Sequence, residues 1–132
     1  MKYFLKSINM KGAFIFVLSF LFVALSFAQE NQAGIKRNFN YIEYYPDSTI
    51  KRALNFENYE PVGYCIEFDN MGKPLTIGEY KSWDRFGEWL NADGTTTHYT
   101  EKFEKFVTIP GCGTGMYQNV QRFRELYEQL TQ

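Results

Sequence analysis

An internal repeat with a period of about 24 residues constrains this chain more than any other feature, because a repeated sequence folds as a repeated structural unit. When the sequence is shifted by one period, Gly63, Gly87 and Gly111 fall in one column. The other matched columns hold apolar or aromatic side chains: Ile42, Ile66 and Leu90; Tyr44 and Phe68; Phe56 and Tyr80; Tyr59 and Trp83; Val62 and Phe86. The repeat predicts three tandem units over residues 40–63, 64–87 and 88–111, of which the third is the most degraded.

Each unit has the pattern of a β-hairpin. In the second unit Tyr64, Ile66 and Phe68 alternate with other residues, a period of two that places them on one face of a sheet. A turn at residues 70–73 and a return strand near residues 75–81 follow. We therefore predict a mainly β fold, an antiparallel meander of three hairpin repeats with about six strands.

Glycine recurs where each unit ends, which predicts a backbone with φ above zero or a close approach at the unit junctions. The turns of the first and third units are expected at residues 46–49 and 92–95. Ser48 stands where a turn glycine belongs, so the sequence predicts a turn of a different type in the first unit.

The two ends of the repeat region differ from it. Residues 29–39 are polar, which predicts a flexible leader. Residues 112–132 are predicted to form a loop and a C-terminal helix, which should lie on one sheet face or cover the last edge. The apolar stripe of this helix advances in steps of four and three residues: Met116, Val120, Phe123, Tyr127 and Leu130.

The N-terminal segment, residues 1–28, has the composition of a signal peptide with a signal helix. Three lysines precede an uncharged apolar run at residues 12–27, and Ser26-Phe27-Ala28 has small residues at the positions that a signal peptidase reads. We predict cleavage after Ala28 and a secreted or periplasmic protein without stable membrane insertion. The alternative is an uncleaved anchor, but this run of about 16 residues is shorter than the roughly 20 needed to span a bilayer.

Charge and residue types exclude several functions. Loss of the three leader lysines changes the net charge from −1 to −4, so nucleic acid is not an expected partner. The single histidine, His98, and two cysteines supply fewer ligands than the four of a closed zinc site, and no metal or cofactor is predicted. Cys65 and Cys112 are candidates for a disulfide in an oxidising compartment; the alternative is one buried and one exposed thiol.

Carboxylates give the one enzymatic alternative. Glu43 and Glu67 are in repeat register, while Glu79, Asp84 and Glu88 lie close together in sequence, and a glycoside hydrolase needs two carboxylates across a cleft. A meander offers an open face rather than a cleft, so we predict that the protein is not an enzyme.

The best-preserved unit resembles a known family. Residues 63–73, followed by Gly78-Glu79-Tyr80 and then Phe86-Gly87-Glu88-Trp89, resemble the bacterial variant of the MORN repeat, found in proteins described as a YwqK-like antitoxin family. The resemblance covers about 72 of the 104 mature residues and departs from the family at Ser48, at Trp83, where a second turn glycine is usual, and in the third unit. It implies a repeated antiparallel sheet used for protein or surface contacts, and it transfers no catalytic residue.

Aromatic residues are the most suggestive functional feature. They are too numerous for one narrow core face, and exposed Tyr and Trp rings commonly bind peptides or glycans. The candidate binding residues are Tyr59, Trp83, Trp89 and Tyr80; the alternative is that these rings pack in the core. We predict an exported, non-enzymatic repeat module that contacts a protein or envelope component. The alternatives are a carbohydrate-directed hydrolase and a purely structural or assembly protein.

Overall fold

A computed structural model describes residues 32–101, 104–110 and 114–132. The predicted signal peptide, the first three residues of the leader, Gly111 and Cys112 lie outside these ranges. Within them, no helix is long and apolar enough to cross a membrane.

Seven strands form one antiparallel sheet in which every strand pairs with its neighbours in sequence. This order confirms the predicted mainly β meander with a C-terminal helix. The strands are β1 (Tyr41–Tyr44), β2 (Ile50–Glu57), β3 (Glu60–Phe68), β4 (Pro74–Lys81), β5 (Asp84–Asn91), β6 (Thr96–Tyr99) and β7 (Lys105–Thr108). The sheet has one strand more than the six expected, because the chain after the β5–β6 hairpin forms a further strand, β7.

The three turns at one end of the sheet share one hydrogen-bond pattern. In the first, the N–H of Tyr45 donates to Thr49 O and the N–H of Ser48 donates to Tyr45 O, at 2.8 and 3.0 Å. The same two bonds recur in the turns that end at Lys73 and Thr95. Ser48 has φ of 69°, close to the 81° of Gly72 in the equivalent position. The expectation of a different turn type at Ser48 is therefore wrong: the hydrogen bonds of the hairpin hold a serine in a left-handed conformation.

We expect Ser48→Gly to raise the free energy of unfolding by about 1 kcal/mol, because a side chain in the left-handed region costs about 1–2 kcal/mol. For a domain of this size the melting temperature should rise by about 4–8 °C. Thermal unfolding followed by circular dichroism measures this shift.

The matched control for that substitution is Gly72→Ser, which should lower the melting temperature by a similar amount. A Cβ at Gly72 would meet only the Thr49 methyl group, at 3.6 Å, so the change tests the backbone conformation rather than packing. A melting temperature of Ser48→Gly at or below that of the wild type would contradict the interpretation.

At the opposite end, β2 and β4 are each joined to the next strand by a two-residue turn. Asn58 and Tyr59 have φ of 50° and 67°, as a tight hairpin with the twist of its strands requires. The second turn consists of Ser82, with φ of 56°, and Trp83. These turns, and not the repeated glycines, are the junctions between successive hairpins.

The repeated glycines occupy bulges inside strands. Gly63 and Gly87 have φ of 69° and 66°, as predicted, but they lie within β3 and β5 rather than at strand junctions. In both bulges three residues of one strand oppose a single residue of the preceding strand, and the single residues are Leu54 and Gly78. Because a bulge adds residues to one strand only, the glycines allow the chain to bend there.

One face of the sheet carries the main core, covered by α2 (Thr114–Thr131). Phe123 of α2 is buried, and Tyr127 and Leu130 pack beside it, which agrees with the predicted stripe. The buried members of this core are Ile35, Phe39, Ile50, Ala53, Ile66, Phe68, Ile77, Leu90 and Phe123.

The structure corrects the predicted flexible leader over residues 32–39. Residues 32–38 form a helix, α1, and Ile35 and Phe39 are buried in the main core. Asn38 Nδ2 donates to the carbonyl oxygens of Leu130 and Gln132, both at 2.9 Å. Ile35 and Phe39 lie four positions apart, on one side of the helical turn, and both can therefore enter the core. The hydrogen bonds from Asn38 to the end of α2 add to these apolar contacts and hold the segment against the domain.

Candidate binding face

The sheet face opposite α2, called here the uncovered face, carries a second and smaller hydrophobic cluster. Its buried members are Leu54, Cys65 and Trp89, with Phe56, Tyr80 and Tyr99 packed against them. Glu88 pairs with Arg122 of α2 at 2.6 Å, so the next residue, Trp89, points to the other side of the sheet. The sheet is therefore apolar on both faces, which explains why the chain holds more aromatic residues than one core needs.

Trp89 is a packing residue and not a binding residue. Its side chain is fully buried, with the edges of Tyr80 and Tyr99 at ring-centroid distances of 5.6 and 6.0 Å. The guanidinium of Arg85 lies 4.5 Å from the centroid of the indole. Gly78 lies beneath the ring, because a Cβ there would come within 2.1 Å of Trp89 Cδ2. Tyr80 is half-buried against the indole, so neither ring is freely presented to a ligand.

Ion pairs cross the strands of the uncovered face. Glu43 binds Lys51 and Arg52 at 2.7 and 2.5 Å, and Arg85 binds Glu67 at 2.5 Å. Arg85 Nη1 also donates to the Tyr99 hydroxyl, at 3.1 Å. Each arginine therefore lies between a carboxylate and a tyrosine, since Arg52 Nη1 approaches the Tyr80 hydroxyl at 3.5 Å.

These pairs occupy the two glutamates in repeat register. The hydrogen bond from Lys51 lowers the pKa of Glu43; burial opposes the shift, and Arg52 adds to it. Burial works against the charge of Arg85, but the attraction of Glu67 together with the interactions of Tyr99 and Tyr80 outweighs it and raises the pKa of the guanidinium. Glu43 and Glu67 are thus both engaged in ion pairs with basic side chains across the strands.

Cys65 is a fully buried free thiol, and burial raises its pKa to about 12. Its partner in the candidate disulfide, Cys112, lies outside the described residues. His98 belongs to the other face, where its Nε2 lies 3.2 Å from Thr96 Oγ1 and 3.8 Å from Glu88 Oε2. Because Cys65 and His98 project from opposite faces of the sheet, they do not form a nucleophile and base pair.

The second group of carboxylates does not converge on a cleft of the uncovered face. Glu79 and Glu88 line a notch of about 270 Å³ on the helix side, together with Tyr64, Phe86 and Arg122. Burial, with a smaller effect of Glu79, raises the pKa of the Tyr64 hydroxyl. Across the described parts of the chain, no three His, Cys, Asp or Glu side chains are grouped so that they could hold a metal ion.

Exposed aromatic rings gather at the end of the sheet that bears the two-residue turns. Tyr59 and Trp83 occupy these turns and are 92% and 65% exposed. Trp83 contacts Phe56 at a centroid distance of 5.7 Å, and Phe56 contacts Tyr41 at 5.0 Å, both edge to face. Tyr41 begins β1 at the same end and is 45% exposed. We call Tyr41, Phe56, Tyr59 and Trp83 the aromatic tip.

The sequence identified half of this group. Tyr59 and Trp83 stand out because they share a repeat column, and the structure brings both to one end of the sheet. Tyr41 and Phe56 join them through the register of the first hairpin, in which Tyr41 opposes Leu54. The sequence could have predicted that Tyr41 and Phe56 lie near each other, since a hairpin turn at residues 45–49 fixes which residues of β1 and β2 face each other.

Comparisons with known proteins gave no match to any protein-family model, curated protein or solved structure.

Proposed function

We propose that this protein is an exported, non-enzymatic repeat module that binds a protein or another envelope component through its aromatic tip. The observation that carries the proposal is the exposure of Tyr59 and Trp83 on adjacent turns at one end of the sheet. The resemblance of residues 63–89 to MORN-variant repeats and the signal-like leader support the same interpretation.

Exposed rings in tight turns are not needed for folding. A two-residue hairpin turn favours Asn, Asp and Gly, and a tyrosine at φ of 67° is an unfavourable choice for the backbone alone. Tyr and Trp combine a large apolar surface with a polar group and few rotatable bonds, so they lose little entropy when a partner orders them. The composition of these turns is therefore better explained by contact with a partner than by stability.

The hydrolase alternative receives less support from the same residues. Glu43 and Glu67 are paired with basic side chains, and Glu88 is paired with Arg122. A glycoside hydrolase needs one carboxyl group with a raised pKa and a second one across the scissile bond. These three glutamates instead form ion pairs that join neighbouring strands and join the sheet to α2.

We expect the double substitution Tyr59→Ala and Trp83→Ala to weaken capture of the partner at least tenfold, since buried aromatic anchors at interfaces each contribute about 2 kcal/mol or more. The purified mature chain, immobilised, is incubated with detergent extracts of the native envelope. Captured proteins and glycans are then quantified by mass spectrometry.

The control for this experiment is Tyr117→Ala, which removes a tyrosine that is 71% exposed on α2, away from the aromatic tip. This variant should capture the same components as the wild type. If the tip variant also captures them at the wild-type level, the aromatic tip is not the binding surface and the proposal fails.

A further inference from the structure

The last strand of the sheet, β7, presents an open edge. In the sheet order β7 has a neighbour only on the β6 side within the described residues. All four residues of β7 are exposed, including Phe106 at 55% and Val107 at 56%, and Ile109 directly after them is exposed as well. An exposed apolar edge strand is a template for pairing with another strand.

The hydrogen bonds of the β6–β7 ladder show which backbone groups face outward. The N–H of Thr100 donates to Glu104 O at 3.0 Å, so residue 104 bonds toward β6. In an antiparallel pair the direction alternates from residue to residue, and Phe106 opposes His98 while Val107 opposes Thr97. The N–H and C=O groups of Lys105 and Val107 therefore point away from the sheet.

The opposite edge, β1, is less suited to pairing. Its register with β2 shifts between Glu43 and Tyr44, and an irregularity of this kind interrupts an edge. Glu43 is also engaged by Lys51 and Arg52, which keeps charged groups on this short strand. Natural proteins protect sheet edges by these two means, and β7 shows no register shift against β6.

We propose that β7 pairs antiparallel with β7 of a second copy of this chain, around a two-fold axis at Phe106. In this register the outward groups of Lys105 exchange hydrogen bonds with those of the partner's Val107, and the reverse pair does the same. Phe106 then opposes the partner's Phe106 as a closely spaced pair without hydrogen bonds, and Glu104 opposes the partner's Thr108.

Symmetry favours a second copy as the occupant, and charge disfavours the register centred on Lys105. No like charges are directly opposed when the axis lies at Phe106, whereas a shift to Lys105 would place two lysines opposite each other. A two-fold contact between two β7 strands gives a closed dimer, whereas pairing of β7 with β1 of the next copy would give an open filament. The second arrangement would also require pairing with β1, whose edge is irregular. This dimer is independent of the proposed function, because the aromatic tip lies at the end of the sheet and not on its β7 edge.

Sedimentation velocity across a concentration series tests the proposal on the mature chain. The wild type should be in equilibrium between monomer and dimer, and Val107→Pro should be monomeric. Its melting temperature should match that of the wild type at concentrations where the wild type is also monomeric. Proline removes the outward N–H of residue 107 and leaves the bonds between β6 and β7 in place. A wild type that stays monomeric up to about 1 mM, or a Val107→Pro variant that dimerises equally, would overturn the proposal.

A cysteine at the proposed axis tests the register. Directly opposed residues without hydrogen bonds have Cα atoms about 4.5 Å apart, within the range that a disulfide bridges. In a Cys112→Ser background, Phe106→Cys should therefore form a covalent dimer under mild oxidation, while buried Cys65 does not compete. Tyr117→Cys is the exposed control, and dimer formation at position 106 no faster than at position 117 would contradict the register.

Discussion

Replacing Trp89 by alanine is expected to lower the free energy of unfolding by about 3–5 kcal/mol, a large part of the stability of a small domain. The indole fills the centre of the uncovered face, between Tyr80 and Tyr99 and beneath Arg85. Its removal leaves a cavity that rigid strands cannot close. Urea unfolding followed by circular dichroism measures the loss.

Two further variants make this prediction specific. Trp89→Phe should cost much less, because it keeps a ring in place and gives up no hydrogen bond: the indole N–H has no partner among the described residues. Trp83→Ala, at the exposed tip, should change stability by about 1 kcal/mol or less. If Trp83→Ala destabilised the protein more than Trp89→Ala, the assignment of one tryptophan to packing and the other to binding would be reversed.

Gly78→Ala is the second substitution with a large expected effect, about 2–3 kcal/mol of destabilisation. The new methyl group would lie within 2.1 Å of Trp89 Cδ2, far inside van der Waals contact, so the indole or the β4–β5 pairing must move. In the Trp89→Ala background the same methyl group meets no indole, and its cost should fall to below about 1 kcal/mol.

This pair forms a double-mutant cycle that isolates the contact between Gly78 and Trp89. Unfolding free energies of the wild type, the two single variants and the double variant give the coupling energy. Additive costs would show that Gly78 is required for another reason, and the tight packing described here would not explain its presence.

The two bulges are packed by residues of different size that lie 24 positions apart in the sequence. At equivalent positions of successive repeats, the bulge of β3 places Cys65 where the bulge of β5 places Trp89. The single residues opposite the bulges, Leu54 and Gly78, are separated by the same repeat period. In the first bulge the larger side chain, Leu54, lies opposite the smaller Cys65; in the second, the larger Trp89 lies opposite Gly78. Both pairs of residues fill the space between the strands, but the larger residue is on the opposite strand in the two cases.

Local sequence patterns predicted the parts of the fold that depend on neighbouring residues. The alternation of Tyr64, Ile66 and Phe68 and the three turns identified hairpins, and the stripe of α2 identified its buried side. The bulges could not be predicted, because the residues that oppose Gly63 and Gly87 are set by pairing with another strand. For the same reason the glycine repeat indicated positive φ correctly and its position in the strand wrongly.

The candidate site was predictable to a similar degree. Repeat register selected Tyr59 and Trp83, but the same aromatic character also selected Trp89, whose burial depends on Gly78 in the adjacent strand. The partners of Glu43 and Glu67 were missed, since Arg52 and Arg85 reach them across strand pairings that composition does not show. Side-chain identity alone does not separate a packed ring from an exposed one.

Photo-crosslinking at the aromatic tip tests the central claim most directly. A purified chain that begins at residue 29, with a benzoylphenylalanine at position 83 or at position 117 as control, is added to isolated envelopes and irradiated. We predict a discrete covalent adduct from position 83 that unlabelled wild type competes away and that position 117 does not form. Equal adducts from both positions, or none from position 83, would contradict binding through the aromatic tip.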